Sequence, residues 1–123
     1  MNRIIIKTEK VKMNAELNDS RTAKAIWDAL PLATEVSTWG EEIYFEIPVK
    51  SELENAVDEV QIGDLGYWPQ GSCFCIFFGL TPMSSEGHIK PASAVNLIGR
   101  IIGKAEEWNK VKDGEWISVE KLS

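Results

Sequence analysis

The side chains that could do chemistry in this sequence are few and widely spaced. Glu42 and Tyr44 stand two apart in a stretch where Ile43, Phe45 and Ile47 alternate with them. On a strand, such residues share one face. If that face opens to solvent, they are ordinary surface residues. If it borders a groove, they supply a hydrogen-bond acceptor and an aromatic wall. Trp39, Tyr67, Trp68 and Phe78 could line the same groove, because aromatic side chains offer large contact area with a polar tip. The competing reading places them in the core, and Phe78 fits that better. Trp68, beside Pro69 at a turn, reads as partly exposed and in contact with a ligand.

His88 is the single histidine and the one group expected to titrate near neutral pH. It lies in a polar loop with Ser84, Ser85 and Glu86. A hydrolase needs a base, a nucleophile and an orienting group, and this spacing carries no known mechanism. A lone loop histidine is more often solvated than catalytic. Thr81 and Pro82 open that loop, and long loops in compact domains are often functional. Asn96 and Arg100 are candidates to hydrogen-bond across a groove mouth, or are strand surface residues. Cys73 and Cys75, two apart, point to one face of a strand and fit disulfide geometry poorly. They read as two small buried hydrophobes in a reducing compartment. With one histidine and no ligand spacing, no metal site is expected, and no cofactor.

The elements that must position these groups are mostly strands. Ile4 to Ile6 suits a buried strand, and Val11, Met13, Ala15 and Leu17 alternate with polar residues. Ala23, Ile26, Trp27 and Leu30 then mark one face of a helix, capped by Asp19 or Ser20 and stopped by Pro31, with Trp27 in the core. Glu35 to Thr38 reads as a strand, Trp39-Gly40 as a turn, and Ile43 to Ile47 as a second strand. Ser51 to Glu54 fits a capping box, so either a helical turn or a mobile acidic loop follows. Turn signals at Gly63-Asp64 and Pro69-Gln70-Gly71 bracket another strand. Ser72 to Phe78 is nearly unbroken apolar sequence and predicts a central strand. Asn96 to Ile102 is a strand interrupted at Gly99, where a bulge or bend is allowed. The tail reads as a hairpin turning at Asp113-Gly114. About eight short strands with one or two short helices argue for a mainly β barrel or sandwich.

The sequence has 123 residues, a length that suits one domain over residues 1–123. Its net charge of −6 repels a phosphate backbone, and no basic stripe overrides it, so nucleic acid is not an expected partner. No stretch is apolar enough to span a bilayer. The apolar run near the N-terminus is too short for a signal peptide, so a cytoplasmic location is expected.

Several segments together resemble a known family. Gly63-Asp64-Leu65-Gly66-Tyr67-Trp68-Pro69-Gln70-Gly71, followed by Phe77-Phe78-Gly79-Leu80-Thr81-Pro82, resembles the small bacterial and archaeal cyclophilin-like proteins. Thr38 to Phe45 and Asn96 to Ile101 resemble further motifs of that family, and the likeness covers most of the chain. It implies a closed β-barrel of cyclophilin topology with few helices. A fainter similarity to the peptidyl-prolyl isomerases themselves runs through Thr22-Ala23, through Gly71 to Ile76, and through Asn96 to Ile102.

The departures bear on activity. The resemblance implies an arginine on the strand from Gly40 to Pro48, where this sequence has Glu42 and Tyr44 instead. The isomerase glutamine and second phenylalanine fall on Cys73 and Cys75. Loss of one electrostatic donor costs roughly a hundred-fold or more in rate. The expectation is therefore a domain that binds a peptide segment or small molecule without efficient proline isomerisation. The candidate contacts are Glu42, Tyr44, Trp68, Phe78, Thr81, Pro82 and Asn96. An atypical isomerase would have to use Glu42, His88 or Arg100. An enzyme subunit acting on a small molecule is the third class, by analogy of fold alone.

Overall fold

Alternation of apolar and polar residues builds most of the molecule. The computed structural model describes residues 2–122, so the first and last residues of the expected domain lie outside it. Along the chain come β1 (Arg3–Lys7), β2 (Lys12–Leu17), α1 (Arg21–Ala29), β3 (Leu32–Glu35), β4 (Ser37–Thr38), β5 (Glu42–Glu46), β6 (Asp64–Trp68), β7 (Cys73–Phe77), β8 (Asn96–Ile102) and β9 (Trp116–Lys121). A 3-10 helix over Ala105–Lys110 separates the last two strands. All strand pairs are antiparallel, in the order β3-β9-β1-β2-β8-β6-β7-β5-β4.

The two ends of that order are neighbours in sequence. β3 pairs with β9 and β4 pairs with β5, and only Val36 lies between them. The backbone N–H of Val36 donates to the Glu115 carbonyl, and Gly114 donates to Val36 in return. One extended stretch thus joins both edges and nearly closes the barrel. Closure removes the unpaired edges that would otherwise template aggregation. Counted this way, the expected strand from Glu35 to Thr38 is the seam.

The interior holds Ile4, Ile6, Ala15, Leu17, Ile43, Phe45, Leu65, Phe74, Ile76, Ile98, Ile117 and Val119, each at most 2% exposed. Phe45 and Phe74 stack across β5 and β7 with ring centroids 5.0 Å apart. α1 rests on this core through Ala23 and Ile26, and Ser20 caps it by accepting from the Ala23 N–H. Trp27, expected in the core, is only half-buried, with the Lys121 ammonium 4.8 Å above its ring.

Two further expectations are corrected, at Ser51 and in the tail, while the bulge allowed at Gly99 is present. No helical turn follows Ser51; the Glu54 carboxylate instead reaches α1, where it accepts from the N–H groups of Arg21 and Thr22, both at 3.0 Å. The pattern that suggests a local capping box thus caps a helix some thirty residues away. The segment is also tied down: Ser51 N–H donates to the Tyr67 hydroxyl, and Glu54 N–H donates to Asn96. Nor is the tail a hairpin, because its first arm is the 3-10 helix that buries Trp108. At Gly99, β8 continues. Leu65 pairs with Gly99 and Gly66 with Leu97, so Ile98 is the extra residue of a bulge. A Cβ on Gly99 would lie 2.0 Å from the Glu16 carbonyl oxygen, and that close approach is why glycine stands there.

Candidate functional site

β7 is buried on both faces, and its outer face shapes the site. Phe74 and Ile76 point into the barrel, whereas Cys73, Cys75 and Phe77 join Val60, Ile89 and Val95 in a second, smaller apolar cluster outside it. The cover comes from two segments that clasp each other. Val57 pairs with Val95, and the Val60 N–H donates to the Ile89 carbonyl at 2.9 Å. On this outer face Tyr44 and Gly66 flank Cys75 on either side. Gly66 lets the cover approach, since a Cβ there would sit 3.1 Å from Val95 Cγ2. With Val95 settled over Gly66, the small Cys75 side chain beside Tyr44 leaves space above the thiol.

That space is a cavity of about 230 Å³ lined by Trp39, Glu42, Tyr44, Trp68, Cys75, Pro91, Ala92 and Val95. Trp39 is set by the turn at Gly40, whose φ of +60° favours glycine. A Cβ on Gly40 would press against Pro82 Cδ at 2.8 Å and Thr81 Cα at 2.9 Å. Trp68 is fixed by its indole N–H, which donates to Ser93 Oγ at 2.6 Å, and Ser93 is linked onward to Gln70. A Cβ on Gly71 would lie 2.7 Å from the Trp68 ring, so this glycine lets the ring lie against the turn.

Glu42 is the unusual member. It is 6% exposed, and among the described residues no basic group lies within ion-pairing distance of it. Burial raises its carboxyl from 4.5 to about 7, and a hydrogen bond with the neighbouring Cys75 thiol pulls the other way. Loss of water disfavours the charged form, and no cation restores it. The same burial, with Glu42 nearby, pushes the Cys75 thiol well above its ordinary value, so it stays protonated at neutral pH.

Of the residues singled out from sequence, the structure brings Trp39, Glu42, Tyr44, Trp68 and Cys75 into this cavity. Tyr67 does not join them: it is fully buried, and its hydroxyl donates to the Val49 carbonyl. The others lie elsewhere among the described residues. Phe78 packs into the barrel core. Thr81 holds its loop through the Ser84 hydroxyl and the Lys90 carbonyl, and together with Pro82 it supports the Gly40 turn from outside the cavity. Asn96 is fully buried, donates to Thr22 and to the Glu52 carbonyl, and accepts from Glu54. His88 sits on the surface with Nδ1 2.7 Å from Glu59. Arg100 pairs with Asp64 at 2.6 Å and donates to the Ile62 carbonyl. Pro91, Ala92 and Val95 were not candidates. Small apolar loop residues carry no signal of their own until the fold lays them over β7.

Nearly all of the chain finds its match on this architecture. Residues 2–120 match the family described as Cyclophilin-like. The chain belongs to the cyclophilin-like family. A hypothetical protein from Archaeoglobus fulgidus, known from a solution structure, is 43% identical with a TM-score of 0.85, covering 98% of this chain and 95% of the other. The comparison with curated proteins gives no match. In this cyclophilin-like barrel none of the eight cavity-lining residues is basic. No helix among the described residues is long and apolar enough to cross a membrane.

Proposed function

We propose that this cyclophilin-like domain binds a small molecule or a peptide side chain in the outer cavity and does not efficiently isomerise prolyl bonds. One observation carries the reading: a buried carboxyl without a basic partner stands in an otherwise apolar, aromatic-walled cavity. A twisting prolyl amide is stabilised by a donor aimed at its carbonyl oxygen. An ionised carboxylate offers only acceptors, and the protonated form that Glu42 takes below about pH 7 brings a single uncharged O–H in place of a charged, forked guanidinium. The missing donor alone removes roughly a hundred-fold or more in rate. No observation favours Arg100 or His88 as a substitute, because each is engaged with a carboxylate and neither lines the cavity.

The size supports a head group over a large ligand. About 230 Å³ falls below the roughly 300–1,000 Å³ typical of sites for drug-sized molecules. Trp68 and Tyr44 supply contact area, and Glu42 accepts a hydrogen bond or faces a positive charge.

A proline-peptide isomerisation assay should give no rate above the uncatalysed one. In parallel, a thermal-shift screen of small amines and neutral compounds should yield stabilising ligands whose effect is lost in Tyr44→Ala and Trp68→Ala, because ligands that bind only the folded state raise its stability. Clear turnover that disappears on substituting Glu42 or Tyr44 would overturn the proposal.

A further inference from the structure

We infer that this cavity is an aromatic cage for an N-methylated ammonium group, borne by a small amine or by a methylated lysine side chain. The inference rests on the ligand-binding reading above and names its chemical class. Three of the eight lining residues are aromatic, Trp39, Tyr44 and Trp68, and one is acidic, Glu42. The remaining four, Cys75, Pro91, Ala92 and Val95, are apolar or nearly so. Cations are drawn to aromatic rings, and most strongly where water is excluded.

The other buried or half-buried carboxylates show how unusual Glu42 is. Asp64 has Arg100 and the Gln61 N–H. Glu54 has Arg21, Thr22 and the start of α1. Glu115 has Lys10 and the Lys112 N–H, Glu16 has Arg3, and Glu120 has Lys7. Glu42 alone among these has neither a cation nor a backbone N–H beside it, only the Cys75 thiol, and it lines a cavity. A buried carboxylate without a cation is costly, and a bound cation would relieve that cost. The surrounding charge agrees: Glu46 lies four residues along the same face of β5, and the chain carries −6 overall. Anionic ligands are repelled by this field.

Methylation follows from donor counting. A bare ammonium brings three N–H donors. The cavity offers the Glu42 carboxylate on one side and, apart from the Tyr44 hydroxyl, mostly apolar or aromatic walls around the rest, whereas the three donors of an ammonium diverge. A primary ammonium would therefore leave donors unsatisfied. A tertiary ammonium brings one N–H for the one carboxylate and methyl groups for the rings. A quaternary ammonium brings charge with no donor at all.

The test is isothermal titration calorimetry of the full chain at about pH 8, where Glu42 is ionised. The probes are ethanolamine, N,N-dimethylethanolamine, choline and the neutral shape analogue 3,3-dimethylbutanol. Short peptides bearing lysine or dimethyllysine complete the set. Dimethylethanolamine and choline should bind about tenfold or more tighter than ethanolamine and the neutral alcohol. Dimethyllysine peptide should exceed the unmodified peptide by a similar factor if the natural source is a peptide; tight binding of the free amines alone identifies a small molecule, and either result supports the cage. Glu42→Gln should reduce the preference for charge to what the rings alone supply, and Trp68→Ala should weaken all methylated probes. Equal affinity for choline and 3,3-dimethylbutanol would overturn the cage while leaving the ligand-binding reading intact. Failure of every probe, neutral and charged, would overturn both.

Discussion

Replacing Glu42 by glutamine should make this protein more stable at alkaline pH and leave it almost unchanged under acid conditions. The folded state holds the Glu42 carboxyl at about 7, against 4.5 when solvated. Below 4.5 both folded and unfolded chains carry the proton, and burial of the neutral acid costs little. Between 4.5 and 7 the folded chain keeps a proton that the unfolded chain has released, so stability falls as pH rises. Above 7 the carboxylate is ionised in both states, and the penalty is complete and constant. At about 1.36 kcal/mol per pH unit, the move from 4.5 to about 7 amounts to about 3 kcal/mol. Glutamine keeps the shape and never ionises, so Glu42→Gln removes that penalty. The other titratable groups on this face are the Cys73 and Cys75 thiols of β7 and, on β5 itself, Tyr44 and Glu46. They are common to both proteins and largely cancel in the difference. Urea unfolding followed by tryptophan fluorescence, from about pH 4.5 to pH 8.5, measures the gap directly. It should open by about 2–3 kcal/mol across that window, in favour of the glutamine variant, and then level off. A gap that stays flat with pH, or a variant less stable than the parent at pH 8, would refute the reasoning. Either would mean that the carboxylate is solvated or paired.

Two further perturbations probe how the barrel holds the site. Gly99→Ala places a methyl group where the Glu16 carbonyl oxygen already stands, and should destabilise the β2–β8 pairing by about 2 kcal/mol or more, read as a lower urea midpoint. Glu54→Ala removes the acceptor at the start of α1 and should cost about 0.5–2 kcal/mol. Because those hydrogen bonds hold the Glu54 carboxyl down at about 2, its contribution is fully present above 4.5 and is lost as pH falls towards 2. The difference between parent and Glu54→Ala should therefore shrink under acid conditions, as the Glu42 gap does, but with the parent as the more stable protein.

Much of the barrel was legible because strand alternation is a local property. Ile43, Phe45 and Ile47 face inward and Glu42, Tyr44 and Glu46 outward wherever the strand is placed. The unbroken apolar run in β7 announced burial on two sides, and the structure supplies both, with the barrel core within and the loop cluster without. Helix α1 started where a serine could cap it. The tail misled because Asp113-Gly114 is a turn signal on either kind of arm, and the arm before it turned out to be a 3-10 helix. Ser51 to Glu54 misled because a short acceptor pattern does not say which N–H groups it will meet.

The sequence alone determined which face of each strand could be wet, and it placed Glu42, Tyr44 and Trp68 as the groups worth watching. Only the tertiary structure decided that the outer face of β7 would be roofed by Pro91, Ala92 and Val95. It also decided that Arg100 and His88 would be occupied elsewhere. The physical reason is that side-chain direction follows from neighbours along the chain, whereas exposure depends on what distant segments cover. A carboxyl drawn to about 7 is a consequence of that cover, and no local pattern encodes it.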